Sequence, residues 1–281
     1  MQILVTGANG QLGYDVLREL ETRHIPCKGV DMADFDICNF EQARDFIAAC
    51  APEGVIHCAA YTAVDKAETE KELCMDINAK GTENIAKICR ELDCKLMYIS
   101  TDYVFGNNGT RMIQTDAPKA PLNVYGESKL AGETAVLENV KKHFIVRTSW
   151  VFGEHGSNFV KTMYRMASDG SHQELNVVCD QVGSPTYTRD LAKSICDMIV
   201  TEKYGIYHVT NEGYCSWADF AREIMHLAGL SVKVNDITSE DYNAPAVRPK
   251  NSRLSKVSLD ENDFERLPSW QNALQRYLQT L

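Results

Sequence analysis

The feature that most constrains this chain lies at its start: the apolar run Ile3 to Thr6 runs directly into Thr6-Gly7-Ala8-Asn9-Gly10-Gln11-Leu12-Gly13. From Gln11 to Arg23 the apolar residues Leu12, Val16, Leu17 and Leu20 then recur at helical spacing. A strand, a glycine turn and a helix in that order leave unpaired N–H groups and the positive end of a helix dipole at one point, where a pyrophosphate is favoured. The glycines at 3,3 spacing are a variant of the Gly-x-Gly-x-x-Gly dinucleotide turn. Gly7, Gly10 and Gly13 are therefore the first candidate binding residues. Asp31, at the end of the next expected strand, is a carboxylate that can accept both hydroxyls of an adenosine ribose. Its neighbours Met32, Ala33 and Asp34 supply no cation for a 2′-phosphate. NADH is thus expected to be accepted at least as readily as NADPH.

The same alternation continues. Strands are expected at Cys27 to Val30, Gly54 to Ala60, Lys95 to Thr101 and His143 to Trp150, separated by helices at Phe40 to Cys50, Thr69 to Leu92 and about Val124 to Asn139. A loop rich in Gly, Asn and Pro covers Gly106 to Pro121. The expected fold class is α/β, a Rossmann-type doubly wound parallel sheet with helices on both faces. After Trp150 the segments shorten, but a helix from Thr188 to Val200 and a strand from Gly205 to Thr210 still fit the sheet. The expected organisation is a dinucleotide-binding domain of residues 1–150 plus a return segment of about 187–211. Residues 151–186 and 212–281 then form a smaller C-terminal α/β substrate-binding domain.

Composition excludes several classes. With 281 residues, 44% hydrophobic and 24% charged, the chain has ample material for a core. The 29 Lys and Arg against 39 Asp and Glu give a net charge of −10, which disfavours nucleic acid or an anionic membrane as partner. No apolar run approaches the ~20 residues of a membrane span. Ten cysteines are scattered with no Cys-x-x-Cys pair, so free thiols in a reducing cytoplasm are expected. The N-terminus enters its first strand with no basic or cleavage-type segment before it, and the expected location is the cytoplasm. No histidine pair or His/Cys cluster has metal spacing, and no metal is expected. The sequence leaves the oligomeric state open, a homodimer included.

Tyr125-Gly-Glu-Ser-Lys129 places a phenol and an ammonium four residues apart, on one helix face. A tyrosine titrating near 10 is a proton donor at neutral pH, and a lysine ammonium stabilises the phenolate left behind. Ser100-Thr101-Asp102-Tyr103-Val104-Phe105-Gly106 ends a sheet strand on the side where open α/β sheets bind ligands, and its hydroxyls can bond the same carbonyl oxygen. Tyr125, Lys129 and Thr101 are the candidate catalytic set. Arg248, Lys250 and Arg253 form a basic cluster in an otherwise acidic chain, suited to a diphosphate.

Together these segments resemble the extended short-chain dehydrogenase/reductase superfamily. Narrower stretches resemble its dTDP-4-dehydrorhamnose reductase family: Ala60 to Glu68, Pro121 to Gly126, Arg147 to Val151, Asp180 to Thr186 and Arg248 to Leu254. The resemblance runs from residue 3 to about 280. It implies NADH or NADPH as cofactor and a dTDP-4-keto-6-deoxyhexose as substrate. It places Gly10, Gln11 and Leu12 at the pyrophosphate, Asp31 at the adenosine ribose, and Asp36 and Ile37 at the adenine. Ala60, Tyr61 and Thr62 fall at the inner half of the cofactor, Lys129 at the nicotinamide ribose. Thr101 and Asp102 approach the sugar, Tyr125 is the acid, Trp150 packs on the hexose and Arg253 faces the diphosphate. Cys58 departs from the Asn of an Asn-Ala-Ala run frequent in relatives. A dehydratase or epimerase of the same superfamily is a competing reading, weakened because Tyr103 stands where dehydratases carry a glutamate. A non-catalytic regulatory subunit, like the β subunit of methionine adenosyltransferase, is a third.

Overall fold

Side chains alternate across a strand, so a strand covered by helices on both faces is apolar on both sides. The first strand of the computed structural model, which describes residues 1–107, 109–170 and 172–281, does this. Ile3 and Val5 join one core and Leu4 the other, all three essentially without solvent contact. In chain order the main elements are β1 Ile3–Thr6, α1 Gln11–Thr22, β2 Cys27–Val30, α2 Phe40–Cys50, β3 Gly54–His57, α3 Val64–Ala67 and α4 Lys71–Met75. A π-helical turn Asp76–Gly81 leads into α5 Thr82–Glu91, followed by β4 Lys95–Thr101, a 3₁₀ turn Asp102–Val104, α6 Val124–Asn139 and β5 His143–Thr148. The remainder comprises β6 Val151–Phe152, α7 Phe159–Ser168, β7 Glu174–Val178, β8 Val182–Gly183, β9 Thr186–Tyr187, α8 Thr188–Ile199 and β10 Gly205–His208. The last elements are β11 Cys215–Ser216, α9 Trp217–Ala228, β12 Lys233–Ile237, α10 Ser239–Tyr242, β13 Asn251–Ser252, α11 Val257–Asp260 and α12 Trp270–Leu278.

The main sheet is parallel throughout, in the order β2-β1-β3-β4-β5-β10. Chain order reverses between β1 and β3, and ligands bind in the crevice beyond the carboxyl ends at such a switch point. α1 and α8 cover one face through Val16, Leu20, Leu191 and Ile195; α5 and α6 cover the other through Ile85, Ile88 and Val136. Each such side chain, fully buried, contributes about 1.5–3 kcal/mol. A third core gathers Phe152, Val160 and Leu175 with Phe220, Ile224, Trp270 and Tyr277, whereas Leu259 and Leu267 pack back on the first. Residue 108 of the expected loop Gly106 to Pro121, and residue 171 of the expected segment 151–186, lie outside the described residues.

Four expected elements are shorter or interrupted, the simplest being the strand expected from Gly205 to Thr210, which ends at His208. The strand expected to reach Ala60 ends at His57, whose ring is held by the Thr6 and Thr82 hydroxyls at 2.7 and 3.2 Å. Cys58 to Ala60 instead wall a cavity, although the Cys58 N–H still donates to the Thr6 carbonyl at 3.2 Å. The strand expected to reach Trp150 ends at Thr148, because Trp150 adopts a left-handed backbone (φ 50°) and the chain turns into β6. The helix expected over Thr69 to Leu92 is broken by the π turn, a feature frequent at functional sites.

Candidate active site

The glycine turn is shaped by close approach. Gly7 has φ +68°, and a Cβ on Gly13 would stand 2.1 Å from the Gly7 carbonyl oxygen. Only hydrogen fits there. Gly10, at the N-cap of α1, offers no side-chain cap, so the first N–H groups of the helix remain available to an anion. Asp31 at the end of β2 accepts from the N–H groups of Asn9 at 3.0 Å and Met32 at 2.8 Å, which aims it across the turn. Asp36 accepts from the Cys38 N–H at 2.8 Å.

From there a cavity of about 1030 Å³ follows the carboxyl ends of the strands. It is lined by Gly7, Gly10, Gln11, Leu12, Gly13, Asp31, Asp36, Ile37, Ala60, Thr62, Thr101, Asp102, Tyr125, Lys129 and Trp150. Tyr61 and Arg253 do not line it. The Tyr61 hydroxyl turns away to Glu70 at 2.5 Å, and Arg253 donates to the side chain of Asn251 at 2.9 Å. Among the described residues lining the cavity Lys129 is the only cation, beside the carboxylates of Asp31, Asp36, Asp76 and Asp102. A diphosphate held at the turn would therefore be balanced by backbone N–H groups and the α1 dipole. The glycine cradle and the free helix start fit such a group.

α6 presents the reacting pair. Its N-cap Asn123 accepts from the Gly126 N–H, and Glu68 accepts from the Val124 N–H at 2.9 Å. Gly132 permits close packing, since a Cβ there would lie 2.3 Å from the Tyr98 hydroxyl. Tyr125 is half-buried, its ring edge-on to Tyr103 at 5.4 Å. Burial raises its phenol above the ordinary value, opposed by the nearby Thr101 hydroxyl, so it carries its proton at neutral pH. Lys129 is buried with Nζ 4.1 Å from the centre of the Tyr98 ring. Burial pushes it down to about 7, against the pull of Glu133. Asp102 is pushed up to about 6, again by burial, against the opposing hydroxyls of Ser252 and of Thr101, the latter donating to its Oδ1 at 3.0 Å. Its Oδ2 has no hydrogen-bond partner among the described residues.

The Lys129 shift has a measurable consequence. Its folded value lies below the unfolded one, near 10.5, so between about 7 and 10.5 the unfolded chain binds more protons and stability rises with pH. Lys129→Met should therefore be more stable than wild type, with the gap widest below about pH 7 and closing towards 10.5. Chemical denaturation of both proteins across that range checks it; a gap independent of pH would contradict it.

Sequence reasoning passed over two groups. Asn78, in the π turn, accepts from the Tyr61 N–H at 2.8 Å and donates to the Tyr61 carbonyl at 3.0 Å and Ser128 Oγ at 2.9 Å, tying the Ala60 to Thr62 loop to α6. Thr148 and Ser149 join the cavity wall at the end of β5. The signal for them was their place at a strand end, within the Arg147 to Val151 stretch that resembles the family. The basic cluster also divides: Arg248 forms a two-pronged pair with Asp65 at 3.0 and 2.8 Å and Lys250 pairs with Asp180 at 3.0 Å, whereas among the described residues Arg253 donates to the neutral side chain of Asn251 and to no carboxylate.

A dinucleotide cradle facing a Tyr-x-x-x-Lys helix and a strand-end threonine defines an oxidoreductase of the short-chain dehydrogenase/reductase class. Within that class the chain belongs to the family of the RmlD substrate binding domain, whose model matches residues 1–281. It is 39% identical over 278 residues to the spore coat polysaccharide biosynthesis protein SpsK of Bacillus subtilis (strain 168), covering 99% of this chain and 97% of that one. It is also 39% identical over 296 residues to the dTDP-4-dehydrorhamnose reductase of Escherichia coli (strain K12), covering 100% and 98%. The crystal structure of dTDP-4-dehydrorhamnose reductase from Bacillus anthracis str. Ames in complex with NADP superposes with a TM-score of 0.96 at 43% identity, covering 100% and 99%.

Proposed function

We propose that this protein reduces the C4 ketone of dTDP-4-dehydro-L-rhamnose to the alcohol of dTDP-L-rhamnose, using NADPH or NADH. The observation that carries this reading is the convergence of Tyr125, Lys129 and Thr101 on the cavity that also holds the glycine turn. Gly7, Gly10, Gln11, Leu12 and Gly13 would hold the pyrophosphate and Asp31 the adenosine ribose. Asp36 and Ile37 would flank the adenine, Ala60 and Thr62 the inner half, and Lys129 the nicotinamide ribose. When bound, the reduced nicotinamide supplies hydride to a carbonyl carbon. Tyr125 donates its phenolic proton to the carbonyl oxygen, and the Lys129 ammonium stabilises the phenolate. The Thr101 hydroxyl bonds the same oxygen, while Asp102 and Trp150 face the hexose. Arg253, the cation of its loop without a carboxylate partner among the described residues, is read as the diphosphate contact. Tyr103 offers no carboxylate, which counts against elimination chemistry.

Residues 1–150 with 187–211 serve the cofactor in this reading, and 151–186 with 212–281 the sugar nucleotide. The third core, drawn from those last two segments apart from Tyr187 and Trp150 at their boundaries, supports the division. No helix among the described residues is long and apolar enough to cross a membrane, and the setting is read as cytoplasmic from ten free thiols. The test is to mix the protein, NADPH or NADH, and the dTDP-4-keto-6-deoxysugar, with and without an epimerase that supplies the L-configured substrate, and to follow nicotinamide absorbance. Oxidation is expected in the complete mixture. None in any mixture would reject the reading.

Asp31→Ala should weaken NADH binding about tenfold or more, because hydrogen bonds to a charged acceptor contribute about 1.5–3 kcal/mol. NADPH should lose less, since its phosphate no longer faces the carboxylate. Titration calorimetry with both cofactors decides, and equal losses would remove Asp31 from the ribose.

A further inference from the structure

Trp150 is a tightly constrained residue on the cavity wall. It is bulky, yet its φ is +50°, a conformation that side chains of its size rarely adopt. Strain of this kind persists only where the surroundings over-determine it. The Thr186 N–H donates to the Trp150 carbonyl at 3.1 Å, and the neighbouring Ser149 hydroxyl donates to the Ser184 carbonyl at 2.9 Å. One edge of the indole lies over Gly183, where an added Cβ would stand 2.8 Å from Trp150 Cε2. Its face is covered by Trp217, with ring centres 3.6 Å apart and planes within 10°.

Trp217 does not line the cavity, and it is itself held from three sides. It is the first residue of α9, whose start is locked by the reciprocal bonds of Ser216 and Asp219. Its indole N–H donates to Gln181 Oε1 at 3.2 Å, and Gln181 in turn donates to the Ser239 hydroxyl at 2.9 Å. Phe159 packs against it at 4.6 Å. The anchored ring is thus Trp217, and the ring facing the cavity is Trp150.

We propose that Trp217 is a positioning residue which, through the stack, sets the plane of Trp150 and so the affinity of the site for the hexose of the substrate. This rests on the reading of the Trp150 end as the sugar end. Without the stack, Trp150 would gain freedom that the substrate must remove on binding, a cost appearing in ground and transition states alike. Stacked aromatic pairs are coupled strongly enough for a change of a few-fold to about tenfold.

The experiment measures steady-state reduction by Trp217→Leu, Trp217→Phe, Trp150→Phe and the double variant Trp150→Phe/Trp217→Leu, with NADPH binding and circular dichroism on each. Trp217→Leu should raise the KM for the dTDP-hexulose about tenfold, with kcat and the NADPH Kd within about twofold of wild type. Trp217→Phe, which keeps a ring, should recover most of that loss. In the Trp150→Phe background the leucine substitution should add less than about twofold, because its effect passes through the missing ring. Closely stacked indoles also give an exciton couplet in circular dichroism, which each single variant should abolish. An unchanged KM in Trp217→Leu, an equal loss in both Trp150 backgrounds, or a fall confined to kcat would each overturn the proposal. Should Trp217→Leu fold poorly, Trp217→Phe alone decides: a lost couplet with a KM worse than that of Trp150→Phe counts against it. Failure of the functional reading would appear in wild type, as absence of turnover, and is thereby distinguished.

Discussion

Tyr125→Phe is expected to lower kcat by roughly 10²–10⁴, about 3–5 kcal/mol of barrier, while the protein folds normally and binds NADPH with nearly unchanged affinity. The substitution removes one oxygen and leaves the ring edge-on to Tyr103. The first turn of α6 keeps its caps from Asn123 and Glu68, so the backbone that carries the ring is untouched. Cofactor affinity is retained because Lys129, rather than the phenol, is assigned to the nicotinamide ribose. Burial keeps the Tyr125 proton in place at neutral pH, and its release becomes favourable only as negative charge moves onto it beside the Lys129 ammonium. That interaction strengthens along the reaction, so its loss belongs in kcat rather than KM. Steady-state reduction with a parallel NADPH titration is the measurement. A variant retaining more than about half of the wild-type kcat, with single-turnover kinetics excluding slow product release, would show that another group is the acid.

Much of this site was legible before any fold was known, and the legible parts share a cause. The glycine turn and the Tyr125 to Lys129 spacing are local: three glycines and one helical turn place their groups without help from distant chain. The ends of β3 and β5 are not local. Cys58 to Ala60 look like strand because they are apolar, and only the packing around His57 shows that the apolar surface faces a cavity. Asn78 was invisible because its role depends on a π turn and on Ser128, 50 positions away. The basic loop shows the converse limit. Three cations cluster in the sequence, but Asp65, more than 180 positions before Arg248, neutralises one of them across the molecule.

The same long-range logic makes Arg147 the residue whose loss should most damage stability. It lies on β5 without solvent contact, in register with Ser100 on β4. Its guanidinium donates to both carboxylate oxygens of Glu133 at 2.7 Å and to the Thr115 carbonyl at 2.7 Å. Ser100 donates to the same carboxylate at 2.5 Å. Glu133 stands one helical turn beyond Lys129, so Arg147 ties the helix that carries Tyr125 and Lys129 to β5, while Ser100 ties it to the strand that ends in Thr101. Arg147→Met would leave Glu133 buried with a single hydroxyl partner, and removing one member of a buried pair costs about 3–5 kcal/mol. For a chain of this size Tm should fall on the order of 10 °C. Arg147→Met/Glu133→Leu should recover at least about half of the loss, because an apolar pair of similar volume removes the uncompensated charge. Activity of the single variant should fall as well, even where it remains folded, since the helix that carries Tyr125 and Lys129 loses its tie to β5. Thermal and chemical denaturation of both variants, with kcat measured well below the new Tm, tests this. A single variant within about 2 °C of wild type would mean that water or a shifted side chain satisfies Glu133, and that the brace lies elsewhere.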